Sequence, residues 1–294
     1  MAVEGRFARF GGTWYPKDRT ILSDMIDSMA DRTLVRCPDP RLAILPHSGL
    51  YFSLRSFSHL LSSAQKPISH VIIFSPSHYY PLHNDRIYQS RFSWYETPFG
   101  NLENRTLELN YPLYEHQDAF AHEHAVEMVM PILGYIQKRQ KKNIGLSLFL
   151  VNRLTGENIT EDFAYSLLKN LRQQPEFPDE TLILASSDFT HYGRVYDHTP
   201  FKGRSDTEVL SEIEKADKSV ISDLIAGRHS QKSIYPCNAC GYAAMSIISQ
   251  LAKVLKLHGE IIDYYHSSDI SQDLKQNVSY ATVFFKEESL YEFE

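Results

Sequence analysis

The chain has 294 residues, enough for one large α/β domain or two smaller ones, and its 43% hydrophobic and 22% charged content allows an ordinary buried core. A formal net charge of −6 removes the general basic face that sequence-independent nucleic-acid binding requires. No apolar run reaches the ~18 residues of a membrane span, the N-terminus lacks the apolar core of a signal peptide, and three cysteines fit a reducing cytoplasm.

Residues 11–16, Gly-Gly-Thr-Trp-Tyr-Pro, form a glycine-rich aromatic opening segment. Asp18 or Thr20 caps the helix that follows, in which Ile21, Met25, Ile26 and Met29 share one face. A strand at 42–45 ends in Pro46-His47-Ser48-Gly49. Residues 51–62 read as a helix with Phe57, Leu60 and Leu61 inward, and the apolar run from 71 ends in Ser75-Pro76-Ser77-His78. Strand, helix and strand make a βαβ unit, whose right-handed crossover is expected to make the two strand ends near neighbours. Residues 86–97 are aromatic and suit edge strands before a turn at 98–101. Residues 124–139 read as a helix that Pro131 kinks or restarts. Its basic end, through Lys142, reads as a solvated terminus. Further strands are expected at 146–151, 181–185, 261–265 and 278–285, the last edge-like around Phe284. Helices are expected at 160–171, 207–225 and 241–257. The alternation predicts an α/β fold: a single domain over residues 1–294, with a central mixed, mostly parallel sheet flanked by helices.

One pattern occurs three times: an apolar strand, a turn of small residues, then a histidine. If the three strands are parallel neighbours, His47, His78 and His191 converge on one sheet edge, where open α/β sheets place ligand-binding groups. The run from Ser186 through Asp188 to His191 holds the residue types of a hydrolase triad but no G-x-S-x-G elbow. Asp188 and His191 read instead as a metal-site or acid–base pair, the carboxylate fixing the imidazole tautomer. Cys237 and Cys240 form a C-x-x-C with no second pair, which excludes a Cys₄ zinc site within the chain. Two readings remain: a functional thiol at Cys240, at a helix start, or two inert buried cysteines. The run His122-Glu123-His124-Ala125-Val126-Glu127 is neither H-E-x-x-H nor H-x-x-E-H. His124 and Glu127 lie three apart on a helix, and either line the cleft or form an exposed pair.

In order, these segments resemble the Memo family, called in prokaryotes AmmeMemoRadiSam system protein B. Gly12 to Pro16 resembles its G-S-W-Y-P, and Pro46-His47-Ser48-Gly49 its P-H-A-G-Y, with Leu50 in the aromatic position. Pro76-Ser77-His78 matches P-S-H, and Thr97-Pro98-Phe99-Gly100 resembles T-P-L-G. Glu123 to Glu127 resembles E-H-S-x-E, and Ser186 to Gly193 resembles S-S-D-F-x-H-[WY]-G. Cys240-Gly241 and Val278-Ser279-Tyr280-Ala281 complete the set, although the Gly-Pro-Ile usual after the former is missing.

The resemblance implies a fold similar to the LigB-type class III extradiol dioxygenases. Those enzymes bind Fe(II) through two histidines and a glutamate and use another histidine as acid–base catalyst. By that resemblance His47 and His78 match the histidine ligands, and Cys240 takes the third ligand's place. His191 matches the acid–base position with Asp188 beside it, and His124 and Glu127 line the cleft. A thiolate is softer than a carboxylate and suits copper or zinc as well as iron; the cofactor expected from the resemblance is iron(II) or copper, ahead of zinc. The implied function is a metal-binding, dioxygen-using oxidoreductase. The alternative is a non-catalytic signalling module that takes a peptide or anionic ligand in the same cleft, since eukaryotic Memo proteins are linked to phosphotyrosine-peptide recognition. A zinc hydrolase is a third implied option. Expected partners are a small-molecule substrate or a peptide, with no nucleic acid and no membrane.

Overall fold

Apolar runs rich in β-branched and large aliphatic residues form the centre of the sheet, and the helices between them each bury one face. The computed structural model describes residues 4–30, 37–156, 158–228 and 234–287. In chain order the elements are α1 (Arg19–Ala30), β1 (Leu42–Leu45), α2 (Leu50–Ser63), β2 (His70–Ser75), β3 (Tyr88–Gln89), β4 (Trp94–Thr97) and β5 (Gly100–Asn104). Next come α3 (Gln117–His122), α4 (His124–Glu127), α5 (Met130–Gln140), β6 (Gly145–Leu150), α6 (Ile159–Leu171), β7 (Thr181–Ser186) and β8 (His191–Tyr192). The last are α7 (Asp206–Ile225), α8 (Tyr242–Leu255), β9 (His258–His266), α9 (Ser268–Ser271) and β10 (Asn277–Lys286).

The sheet runs β4-β5-β6-β2-β7-β1-β10-β8, with β3 paired to β6 and β9 to β10. Pairing from β5 through β1 is parallel, and the β10 contacts and the β4–β5 hairpin are antiparallel. The molecule is therefore an α/β domain with a mixed, mostly parallel sheet. Alternate residues of each strand face opposite layers. Ala43, Leu45, Val71, Ile73, Leu146, Leu148, Leu182 and Leu184 pack with α1, α2 and α5. Leu42, Ile44, Ile72, Phe74, Phe149, Ile183 and Ala185 pack with α6, α7 and α8.

Three local expectations change, and one of the two readings of Pro131 is selected. β7 lies between β1 and β2, so the two strands of the first βαβ unit are not adjacent. β10 is interior, hydrogen-bonded on both sides and buried nearly throughout, because the aromatic side chains that looked edge-like fill the core. On α1, Leu22 and Ile26 carry the buried face, whereas Ile21 is exposed. Pro131 falls at the start of α5, where its missing N–H costs nothing, so the segment restarts as a new helix. Asp18 caps α1 by accepting the N–H groups of Thr20 and Ile21. Among the described residues no helix is long and apolar enough to cross a membrane.

The N-terminal segment is locked to α4 by a buried ion pair. Arg6, 2% exposed, reaches Glu127, fully buried, at 2.7 Å. Arg6 also donates to the carbonyls of Phe120 and Glu123. The Glu127 carboxylate further accepts the N–H groups of Arg9 and Phe10 and the Tyr15 hydroxyl. Removing only the cation would strand a buried carboxylate. Arg6→Met is therefore expected to lower stability by ~3–5 kcal/mol in urea unfolding. A loss below about 1 kcal/mol, the scale of an exposed pair, would mean that water reaches the carboxylate.

Candidate metal centre

Because β2, β7 and β1 are parallel, their C-terminal ends open on one edge, and each continues into a polar turn. The turns are tied to one another. Ser187 N–H donates to the Leu45 carbonyl at 2.9 Å. The Asp188 carboxylate accepts the His47 N–H at 2.8 Å and the Ser48 hydroxyl at 2.6 Å. The opening glycine-rich segment packs against this corner: Leu50 N–H donates to the Trp14 carbonyl at 2.9 Å. A Cβ at Gly49 would lie 3.2 Å from that same carbonyl oxygen, so the close approach favours glycine.

His47, His78 and Cys240 come together here, with one ligand atom from each lying within 4.8 Å of the others. Cys240 Sγ is 3.2 Å from His47 Nε2, and the two imidazole centroids are 5.1 Å apart. Cys240 is seated by the residue after it. Gly241 N–H donates to the Ser187 hydroxyl, and a Cβ at Gly241 would meet the Ser186 carbonyl at 2.5 Å.

Hydrogen bonds decide which imidazole nitrogen faces the centre. The Ser186 hydroxyl donates its proton to the Ala125 carbonyl at 2.9 Å, so it can only accept from His47 Nδ1, also at 2.9 Å. His47 Nε2 therefore presents a lone pair toward Cys240. Burial, and next the charge of His78, push the His47 pKa well below its ordinary value, which keeps the ring neutral. His78 Nδ1 lies 2.8 Å from Glu123 Oε1, and Glu123 Oε2 accepts the His78 N–H at 2.6 Å. Burial opposes charge on His78, but hydrogen bonds and charges from Cys240 and the fully buried Glu123 outweigh it and push the pKa up to about 10. His78 thus holds a proton that a metal ion would have to displace. Once it leaves, Nε2 is the free donor, since Nδ1 stays with Glu123. This donor set, two oriented imidazoles and one thiol, fits a soft or borderline transition metal.

His124 stands beside the triad, 4.5 Å from His78 and 5.4 Å from His47 between ring centroids. Trp14 and Tyr79 enclose it at 4.7 and 5.5 Å. Burial, then the nearby His78 charge, lower its pKa to about 4. Its Nδ1 is 3.2 Å from Glu123 Oε1 but is not aligned for a hydrogen bond, which leaves a buried ring nitrogen without a hydrogen-bond partner among the described residues.

Two pairings expected from sequence differ in the structure. Asp188 does not hydrogen-bond His191. It faces the His47 turn because β7 and β1 are adjacent, and only its charge acts on His191. His191 Nδ1 is instead 3.0 Å from the Phe189 carbonyl, so Nδ1 carries the proton and Nε2 is free to accept one. Asn238 holds the His191 backbone from both sides. Glu127 does not line the cleft with His124, since its carboxylate is spent on Arg6 and the N-terminal segment. Its i, i+3 spacing to His124 misleads because α4 is a single turn. The residue that reaches the imidazoles is Glu123, the N-cap of that turn, which lies outside the helix. Its position directly before His124 was the available signal. Ser186, which sets the His47 tautomer, carried no signal of its own.

Cys237 is 3% exposed, and burial, then the charge of Asp217, push its thiol pKa well above the ordinary value. Cys240 is partly exposed. Under limiting iodoacetamide, Cys240 is expected to be modified first in the folded chain while Cys237 stays protected. Peptide mapping that finds Cys237 modified as fast would reverse that assignment.

The chain matches the family model for Memo-like proteins over residues 6–284. A MEMO1 family protein of Thermoplasma volcanium is 25% identical over 283 residues, an alignment covering 92% of this chain and 95% of that protein. One from Aquifex aeolicus is 26% identical, covering 93% of this chain and 96% of the relative. The protein memo-1 homolog of Caenorhabditis elegans is 23% identical over 94% of this chain and 81% of its own length. With the family pattern spanning the sheet and every residue of the triad, the chain belongs to the Memo-like protein family.

Proposed function

We propose that this Memo-like protein is a metal-dependent redox protein that holds iron(II) or copper between His47 Nε2, His78 Nε2 and Cys240 Sγ. The observation that carries this reading is the tautomer control: Ser186 and Glu123 each occupy an Nδ1 and leave the Nε2 atoms aimed at the thiol. When bound, such an ion would supply one-electron redox change and open positions for dioxygen or a chelating substrate. Zinc is the weaker fit, because a softer or redox-active metal makes more use of the thiolate.

The chain's own residues supply the rest. Glu123 takes up positive charge through His78 and fixes its ring. His191 Nε2 is the proton acceptor: burial lowers its pKa, the Asp188 charge pulls it back up, and its ring is anchored through Nδ1. Trp14, Tyr79 and His124 wall the approach with aromatic surface, which limits water and favours a flat or apolar substrate group. The relation to extradiol dioxygenases fits this arrangement, with the cysteine in the carboxylate position as the difference.

The test is competition titration of the wild type and variants with Fe(II), Cu(II) and Zn(II). His47→Ala, His78→Ala and Cys240→Ser are each expected to abolish tight binding, with Cys240→Ser felt most by copper. Ser186→Ala and Glu123→Gln, which release the tautomers, are expected to cost ~10–100-fold. His191→Ala is expected to lose no more than those two. Loss in His191→Ala as complete as in the triad variants would make it a ligand and end its proton role. Wild type that takes up none of the three metals would overturn the proposal in favour of a binding module.

A further inference from the structure

Beside the metal centre lies an open cavity of about 450 Å³. β10 is antiparallel to β1, so its start lies next to the end of β1 on the same sheet edge. The cavity sits there, between the first residues of α2, the 3-10 turn Arg194–Tyr196 and the connection from α9 to β10. Shared walls join it to the centre. Ser48 donates to Asp188, Trp14 packs on His124 at 4.7 Å and Tyr196 packs on His191 at 5.3 Å between ring centroids. All three of these residues also line the cavity, whereas His47, His78 and Cys240 do not.

The lining is rich in rings. Trp14, Tyr51, Phe52, Tyr196 and Tyr280 all contribute to it. Tyr51 meets Phe52 edge-on at 5.1 Å, and Phe52 lies 6.4 Å from Tyr280, so three rings form a continuous wall. Tyr280 is buried, but Tyr51 is 68% exposed and Tyr196 41%. Exposed rings scattered singly are ordinary on a protein surface; rings gathered about one concavity mark a binding surface.

Charge points to what would bind. Asp273 is the charged residue on the lining among the described residues. Its Oδ1 accepts the N–H groups of Lys275 at 2.9 Å and Gln276 at 3.2 Å, which fixes the turn into β10. Its Oδ2 takes no hydrogen bond and no ion pair among the described residues. Burial, then the charges of Asp188 and Asp273, push the Tyr196 phenol above its ordinary pKa. Burial, then the Asp188 charge, do the same to Tyr280. Two carboxylates therefore bear on this space, and no lysine or arginine lines it among the described residues. An anion would be repelled here. A cation would meet both a carboxylate and the electron-rich faces of aromatic rings, which attract ammonium groups.

We propose that this cavity binds the ammonium group of an organic amine or quaternary ammonium compound, packed among Tyr51, Phe52 and Tyr196 with Asp273 as its counter-charge. That the cation is one end of the substrate rests on the redox reading; its binding does not.

Calorimetric titration of the full chain, with and without EDTA, tests it. The probes are choline and 2-phenylethylamine, their neutral counterparts 3,3-dimethylbutan-1-ol and 2-phenylethanol, and benzoate. Saturable binding of at least one cation is expected, roughly tenfold or more tighter than its neutral counterpart, with benzoate unbound. Binding should survive EDTA, which separates this site from the metal centre. Asp273→Asn keeps an oxygen for the two turn N–H groups, so it should fold normally and lose the preference for cation over neutral probe. Tyr51→Leu, at an exposed position, should weaken the cation by roughly two- to fivefold. Tyr165→Leu, an equally exposed tyrosine on α6, should change nothing. No saturable binding of either cation, equal affinity for cation and neutral probe, loss of binding in EDTA, or an unchanged preference in Asp273→Asn would each overturn the proposal.

Discussion

The parallel ladder in which β7 is hydrogen-bonded to β2 on one side and β1 on the other is what the rest of the centre depends on. Register in a parallel pair fixes where each strand ends relative to its neighbour. Here it sets the His47, His78 and Asp188 turns at one height on one edge. Apolar residues on both faces of these strands hold the ladder in place, so a slip would bury polar turns and expose core. With the strand ends fixed, short turns suffice to bring two imidazoles together from elements that do not touch each other directly.

Buried carboxylates do the finer positioning. Glu123, Glu127 and Asp217 are fully buried and Asp188 nearly so, and each is surrounded by donors. Glu123 holds His78 by ring and backbone, Asp188 holds the His47 turn, and Glu127 pins the N-terminal segment. Asp217 accepts hydroxyls from Thr190, Tyr264 and Ser279, and so fixes the residue just before His191. A buried charge is expensive unless every lone pair is used. Four such groups around one sheet edge trade stability for definition of the site.

The consequence is electrostatic sorting among chemically identical side chains. Four histidines share the neighbourhood, yet burial and neighbours keep His47 and His124 neutral and hold a proton on His78. The difference traces to partners: His78 has a carboxylate against its ring, His47 has a hydroxyl, and His124 has aromatic walls. A cluster of this kind can bind a cation only by exchanging protons for it, which makes uptake depend on pH.

Periodicity and turn chemistry in the sequence determined the elements, their order and the strand-to-histidine pattern, because these rest on local preferences of neighbouring residues. His47 and His78 were legible for the same reason, each standing at the end of an apolar run, whereas Cys240 joined them only through the family resemblance. Tertiary structure alone decided the partners. The insertion of β7 between β1 and β2 turned Asp188 toward His47 rather than His191. The single turn of α4 put Glu123, not Glu127, against the imidazoles, and the interior position of β10 reversed the reading of its aromatic residues. Hydrogen bonds between residues 45 to 141 positions apart, such as those of Glu123 and Asp188, are set by how strands and helices pack, and no local pattern encodes them.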